Sequence, residues 1–465
     1  MRALVAGLLL ALGVMPAEAA QPPAAPALTA TVQRAGDLWT ADLAFPRAAR
    51  AWVFARSPLT EEGSRQWRQP RWTVLTPGVR IERRGFYDAL VSTTARPVPA
   101  RVRIRFTPTP DRMAGDYDPS LVFTDGAIAL YSRQFDLFPT DDLAAIARYQ
   151  PGGELPWSTA RVTYRDRAGP VLANGRRVPA ATLTSDGEGT YILFGGNAPT
   201  ITPDLALVVD PQLPAWIRTS IASTTPGILR RYTEALGPWP GGRPTVMLSW
   251  AGPSSGVTSM GGGVLPGLIV MRFEGEGVLA ENQGARQSNL WFIAHESAHF
   301  WLGQAIANET ARDSWITEGG ADLLAFRAVG AEDRTYDARA QLQKAVDDCA
   351  RLSAGKAVAT ANERNEHRAY YACGAVFALV AEAASRRPFT AFVRTLLDEH
   401  RAERTVTRED WLGLLTRVSG DPGLARDIGR MVDEGAADPK AVIASLFTRA
   451  GVRFTSGPDG VPRLS

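Results

Sequence analysis

The chain has 465 residues, enough for two or three domains with cores of their own. Its net charge is only +3 and no basic tract interrupts it, which argues against a nucleic-acid partner. Two cysteines are too few for a disulfide-dependent scaffold. Residues 1–19 read as a secretory signal, with Arg2 as the positive start, an apolar run over 3–14, and Ala17-Glu18-Ala19 offering small residues at a cleavage site. That run is too short to span a bilayer, no cysteine offers a lipid anchor beside it, and no later apolar run is long enough for a transmembrane helix. The expectation is an exported, periplasmic protein without a transmembrane segment after signal removal; its oligomeric state is left open.

Residues 21–30 form a Pro-rich lead-in. From there to about 210 the pattern is one of short strands. Arg101-Val102-Arg103-Ile104-Arg105-Phe106 alternates polar and apolar, and so does 161–164, while 191–194 and 205–209 are apolar runs bounded by turn residues. An antiparallel β domain is therefore expected over 20–210. Residues 216–236 suit one long helix, unless Pro226 marks its true start. Strands are expected over 245–250 and 267–271, the second preceded by a flexible Gly261-Gly262-Gly263. A helix is expected over 288–303 with Ser288 or Asn289 as cap, and another from Asp313 or Ser314 to about Val329. From 334 onward the periodicity is helical, with a well-capped start at Thr407-Arg408-Glu409-Asp410. Gly and Pro punctuate it near 420 and 437–439, and 451–465 reads as a short strand or a loose tail.

Within that frame one constellation carries chemistry. His295-Glu296-Ser297-Ala298-His299 places two of the chain's four histidines at i and i+4, one face of a helix, where both imidazoles can reach one metal ion. Glu296 lies beside that face, where it can take a proton from a water that the metal activates. Glu318, after eighteen intervening residues, can return on the next helix as third ligand. Two His and one Glu leave a fourth position open, the arrangement of a catalytic rather than a structural zinc site, with one zinc expected per chain. Asp322, at i+4 from Glu318 in an otherwise apolar stretch, can accept a hydrogen bond from His295 or His299 and hold its tautomer. His400 has no motif around it and reads as a surface residue. Cys349 and Cys373 can bridge neighbouring helices or remain two buried thiols.

His295-Glu296-x-Ala298-His299-x-Trp301-x-Gly303 and Trp315-x-x-Glu318-Gly319-x-Ala321 resemble the signature of the gluzincin metallopeptidases. The likeness is to the alanyl-aminopeptidase and leukotriene-hydrolase family first and to the glycyl-aminopeptidase family second. It implies a multidomain α+β fold: the β domain of 20–210, a thermolysin-like zinc catalytic domain over 211–350, and a helical segment over 351–465 that completes it. It implies zinc held by His295, His299 and Glu318, Glu296 as general base, and a peptide or protein substrate. The family's Tyr-x-x-Gly oxyanion donor corresponds to Tyr371-Ala372-Cys373-Gly374, with Tyr370 as an adjacent competitor and His367 one turn earlier. Aminopeptidases of this type carry Gly-x-Met-Glu-Asn, whose Glu grips the substrate ammonium. Here the corresponding stretch is Gly261-Gly262-Gly263-Val264-Leu265, with Val264 in the acid's place. The glycines can still bind an extended peptide through the main chain. The expectation is thus a zinc peptidase that is not a strict aminopeptidase. The alternatives are an aminopeptidase anchored by Glu274 or Glu276, or a peptide-binding protein that keeps zinc for stability.

Overall fold

A computed structural model describes residues 28–150, 155–156, 159–185, 188–196 and 198–465; the signal segment and most of the lead-in lie outside them. Two compact units emerge. One takes the described residues up to Pro214 together with Arg243–Leu279; the other takes Ala215–Gly242 and Ala280–Ser465. The secondary structure is mixed α+β, with strands gathered in the first unit and helices in the second, the fold class expected from the sequence.

The first unit contains four sheets of four to six strands. Arg101–Phe106 alternates exposed and buried residue by residue, so its valine, isoleucine and phenylalanine face a core that also holds Trp39, Trp52, Trp72 and Phe135. In one five-stranded sheet, Ala206–Val209, Thr245–Trp250 and Leu268–Glu274 run parallel. Ser259–Leu265 closes the edge of that sheet, antiparallel to Leu268–Glu274. Gly261, Gly262 and Gly263 are therefore inside a paired strand and not a flexible segment. A Cβ on Gly262 would lie 2.0 Å from the Val270 carbonyl oxygen, so only glycine lets the two backbones pair there.

In the second unit helix α1 (Ala215–Leu236) runs straight through Pro226. Proline removes one helical donor and crowds the preceding turn. Just upstream, Thr224 Oγ1 donates to the Ser220 carbonyl and Thr225 Oγ1 to that of Ile221, each adding to the helical ladder. Helix α2 (Gln283–Ala298) starts earlier than expected because Asn282, not Ser288 or Asn289, is its cap, its side chain accepting from Ala285 N at 2.9 Å. Such a cap is worth about 1 kcal/mol. The helix also stops sooner: His299 is its last, capping residue, still in αR backbone, and not an interior position of a helix reaching 303.

Helices α3 (Ser314–Glu332), α4 (Ala338–Leu352) and α5 (Arg368–Ser385) follow. Cys349 on α4 and Cys373 on α5 form a disulfide. Beyond them lie α6 (Phe389–Glu399), α7 (Arg408–Ser419), α8 (Pro422–Asp433) and α9 (Pro439–Ala450), and α7 opens on the expected capping box of Thr407 and Asp410. The last residues form a short hairpin of Phe454–Ser456 and Pro462–Leu464. Among the described residues no helix is long and apolar enough to cross a membrane.

Candidate metal and catalytic site

The site is assembled where α2, α3 and α5 meet. Helix α3 crosses α5 backbone to backbone: a Cβ on Gly374 would fall 2.1 Å from the Trp315 carbonyl oxygen, and one on Gly319 would fall 2.2 Å from Gly374 Cα. Two glycines at the crossing allow this approach. Glu318 precedes one of them and Tyr371 lies one turn before the other, so the contact delivers both side chains to the same place.

His295 Nε2 and His299 Nε2 lie 3.0 Å apart, and Glu318 Oε2 is 3.4 Å from each. These separations are close to the roughly 3.3 Å edge of a tetrahedron with about 2.0 Å bonds, the dimensions of a zinc centre. All three residues are buried, and they are the one such group of potential ligands found among the described residues.

The outer nitrogens are tied down. His295 Nδ1 is 3.1 Å from Asp322 Oδ1, which also accepts from Trp291 Nε1 at 3.2 Å. His299 Nδ1 is 2.8 Å from the Leu302 carbonyl oxygen, not Asp322. The chain folds back after α2 to bring that carbonyl round, and Gly303, at φ +133°, takes a conformation other residues rarely adopt. With both Nδ1 atoms donating, both Nε2 lone pairs are directed at the metal position.

The charges point the same way. Burial opposes charge on His295, but Asp322 and Glu318 more than offset it and raise the imidazole to about 10. His299 is likewise raised, burial being outweighed by Glu318. Burial opposes the Glu318 carboxylate too, yet the two imidazoles hold it well below the usual range. Burial pushes Glu296 up, against the pull of both histidines. Three carboxylates thus surround two imidazoles. One of them, Asp322, faces Arg368 at 3.6 Å, which leaves two negative charges for a divalent cation in place of imidazole protons. The donor set fits zinc.

Tyr371 stacks on His295 with ring centroids 5.6 Å apart, and its phenol lies within the influence of the Glu318 carboxylate. Burial, then the charges of Glu318 and Glu296, hold it protonated far above its ordinary pKa, so it remains a donor. Tyr370 faces elsewhere, donating to the Ala359 carbonyl at 2.9 Å. His367 caps α5, and His400 is partly buried, 3.9 Å from Asp410. Glu274 is already bonded to Ser254 and Arg272, and Glu276 to Ser255. Sequence reading missed three contributors: the Leu302 carbonyl, Trp291 and Arg368. Trp291, at i−4 from His295 on the same helix face, was legible by spacing; the other two depend on where the chain returns.

Residues 267–434 match the peptidase family M1 domain. No curated protein matches the sequence. Among solved structures, an aminopeptidase N family protein from Idiomarina loihiensis is similar at TM-score 0.59 and 12% identity, covering 90% of this chain and 78% of that one. Native yeast LTA4 hydrolase is similar at TM-score 0.50 and 14% identity over 88% of this chain and 67% of that one. An M1 zinc metallopeptidase from Deinococcus radiodurans gives 0.45 at 19% identity, over 88% and 92%. The first two likenesses extend the shared fold over most of the chain.

Proposed function

Residues 267–434 match the peptidase family M1 domain, and on that premise we propose that this chain is a zinc metallopeptidase that cleaves peptides without requiring a free N-terminus. The observation that carries the hydrolytic reading is the convergence of His295, His299 and Glu318 with Glu296 and Tyr371 around one buried point. We assign His295, His299 and Glu318 as the ligands of one zinc per chain. When bound, zinc supplies a Lewis acid that favours negative charge on the scissile carbonyl oxygen. Glu296 accepts a proton from the attacking water and passes it to the leaving nitrogen. The Tyr371 hydroxyl donates to the oxyanion, a bond made only as charge develops. Asp322 and the Leu302 carbonyl keep the histidine rings oriented.

Specificity is read from what stands in the Gly-rich strand. Val264 offers nothing to an ammonium, and Glu274 is already engaged by a guanidinium, so its charge is compensated. An extended peptide would instead pair its main chain along Gly261, Gly262 and Gly263, which lie in an edge strand. Export to the periplasm is proposed on residues 1–19 alone, and the catalytic domain is proposed to begin near 211 and be completed by 351–465.

The test is mass-spectrometric mapping of a peptide library in free and acetylated form. Internal cleavage of acetylated peptides is expected. Efficient turnover of amino-acid anilides, with acetylated peptides left intact, would overturn the reading in favour of an amine anchor such as Glu274 or Glu276.

A further inference from the structure

We propose that Arg368 is a positioning residue of the metal centre, acting on His295 through Asp322; this rests on the reading of His295 as a zinc ligand. Asp322 is fully buried. Its Oδ1 takes the His295 ring and the Trp291 indole, while its Oδ2 has no hydrogen-bond partner among the described residues. The charge facing that second oxygen is Arg368 Nη1, at 3.6 Å. A buried carboxylate with one bare oxygen is unstable in place unless a cation compensates it. Without Arg368, Asp322 would turn or draw water to satisfy Oδ2, and the angle at which Oδ1 receives His295 would change with it.

Arg368 is also bonded to Asp348, its Nε donating to Oδ2 at 3.2 Å. An ordinary surface ion pair would account for that contact alone. Asp348, however, is served by Lys344 at 2.9 Å and Arg351 at 3.0 Å as well, so it does not depend on Arg368. Asp322 has Arg368 as its one ion-pairing arginine or lysine among the described residues. Asp348 acts as the rear anchor that aims the guanidinium inward, and it precedes Cys349, whose disulfide to Cys373 ties α4 to α5 beside the pair. Arg368 opens α5 and Tyr371 lies one turn further on, so the same helix start both steadies Asp322 and lays a phenol on the His295 ring. Trp291 flanks the ring as well, with centroids 5.5 Å apart.

Zinc affinity, measured by competition with a chromogenic chelator, tests this on the full chain as wild type, R368A, R368K, D322N and D322N/R368A. Outer partners of metal ligands typically contribute about 10–100-fold in affinity. R368A is expected to weaken zinc binding by about tenfold, and R368K to recover part of the loss because a cation is restored. In the D322N background R368A is expected to add nothing, since the route to His295 is already cut. The visible spectrum of the cobalt-substituted protein should change in R368A and move back toward wild type in R368K. Wild-type affinity in R368A, or an equal loss in the D322N background, overturns the proposal. If R368A does not fold, R368Q is read by the same criteria. A wild-type chain that takes up no zinc would overturn the reading of the site as well, whereas zinc lost in H299A but unaffected by Arg368 substitution overturns only this inference.

Discussion

Replacing Gly374 with alanine should damage the site at a distance from any of the proposed ligands. The added Cβ would stand 2.1 Å from the Trp315 carbonyl oxygen and 2.8 Å from Gly319 Cα, both backbone atoms that no rotamer change can move aside. Ordinary contact begins at 3.4 Å, so α3 and α5 must part by about 1 Å. Forcing a methyl into a packed crossing costs roughly 1–3 kcal/mol, a fall in melting temperature of about 2–4 °C per kcal/mol for a unit of this size. The same movement draws Tyr371 and Glu318 apart, and a misplacement of about 1 Å can cost about a hundredfold in turnover. The assay is turnover of the zinc-loaded variant beside its thermal unfolding. Gly413→Ala is the control: Gly413 lies exposed in α7, an added methyl there meets nothing within 4 Å, and the change should be neutral or stabilising by up to ~1 kcal/mol. If G374A keeps wild-type turnover and melting temperature, the crossing does not position the site.

His299→Ala should remove one of the three proposed ligands and lose zinc, read by metal analysis of the purified variant; full zinc retention would exclude His299 as a ligand. Glu296→Gln should keep zinc and fold but lose turnover, because the amide is nearly isosteric and cannot accept a proton; turnover near wild type would remove Glu296 from the role of base. Tyr371→Phe should lower turnover by about a hundredfold with little effect on unfolding, while Tyr370→Phe, which breaks only the bonds to Ala359 and Asn362, should not. The reverse ranking of the two tyrosines would shift the assignment by one residue.

The pair His295 and His299 is legible in the sequence because helical period is local: four residues on is the same face, whatever the rest of the chain does. The position of Glu296 beside them, the capping box at Thr407 and the alternation in Arg101–Phe106 belong to the same class, set by neighbours within a turn or a pleat. Helix ends were less legible. Ser288 and Asn289 were as good candidates as Asn282 by residue type, and the choice fell to where the preceding chain leaves the helix. Everything that required two distant segments to meet was decided by tertiary structure. Pairing of Cys349 with Cys373 waited on α4 lying beside α5, and Tyr371 rather than Tyr370 faces the histidines because Gly374 turns α5 against α3. His299 takes the Leu302 carbonyl instead of Asp322 because the chain doubles back at Gly303, and Arg368 reaches Asp322 only across two helices. Spacing in a sequence specifies which residues share a face; which faces are pressed together follows from burying the apolar sides of α3 and α5, a property of the whole unit and of no single motif.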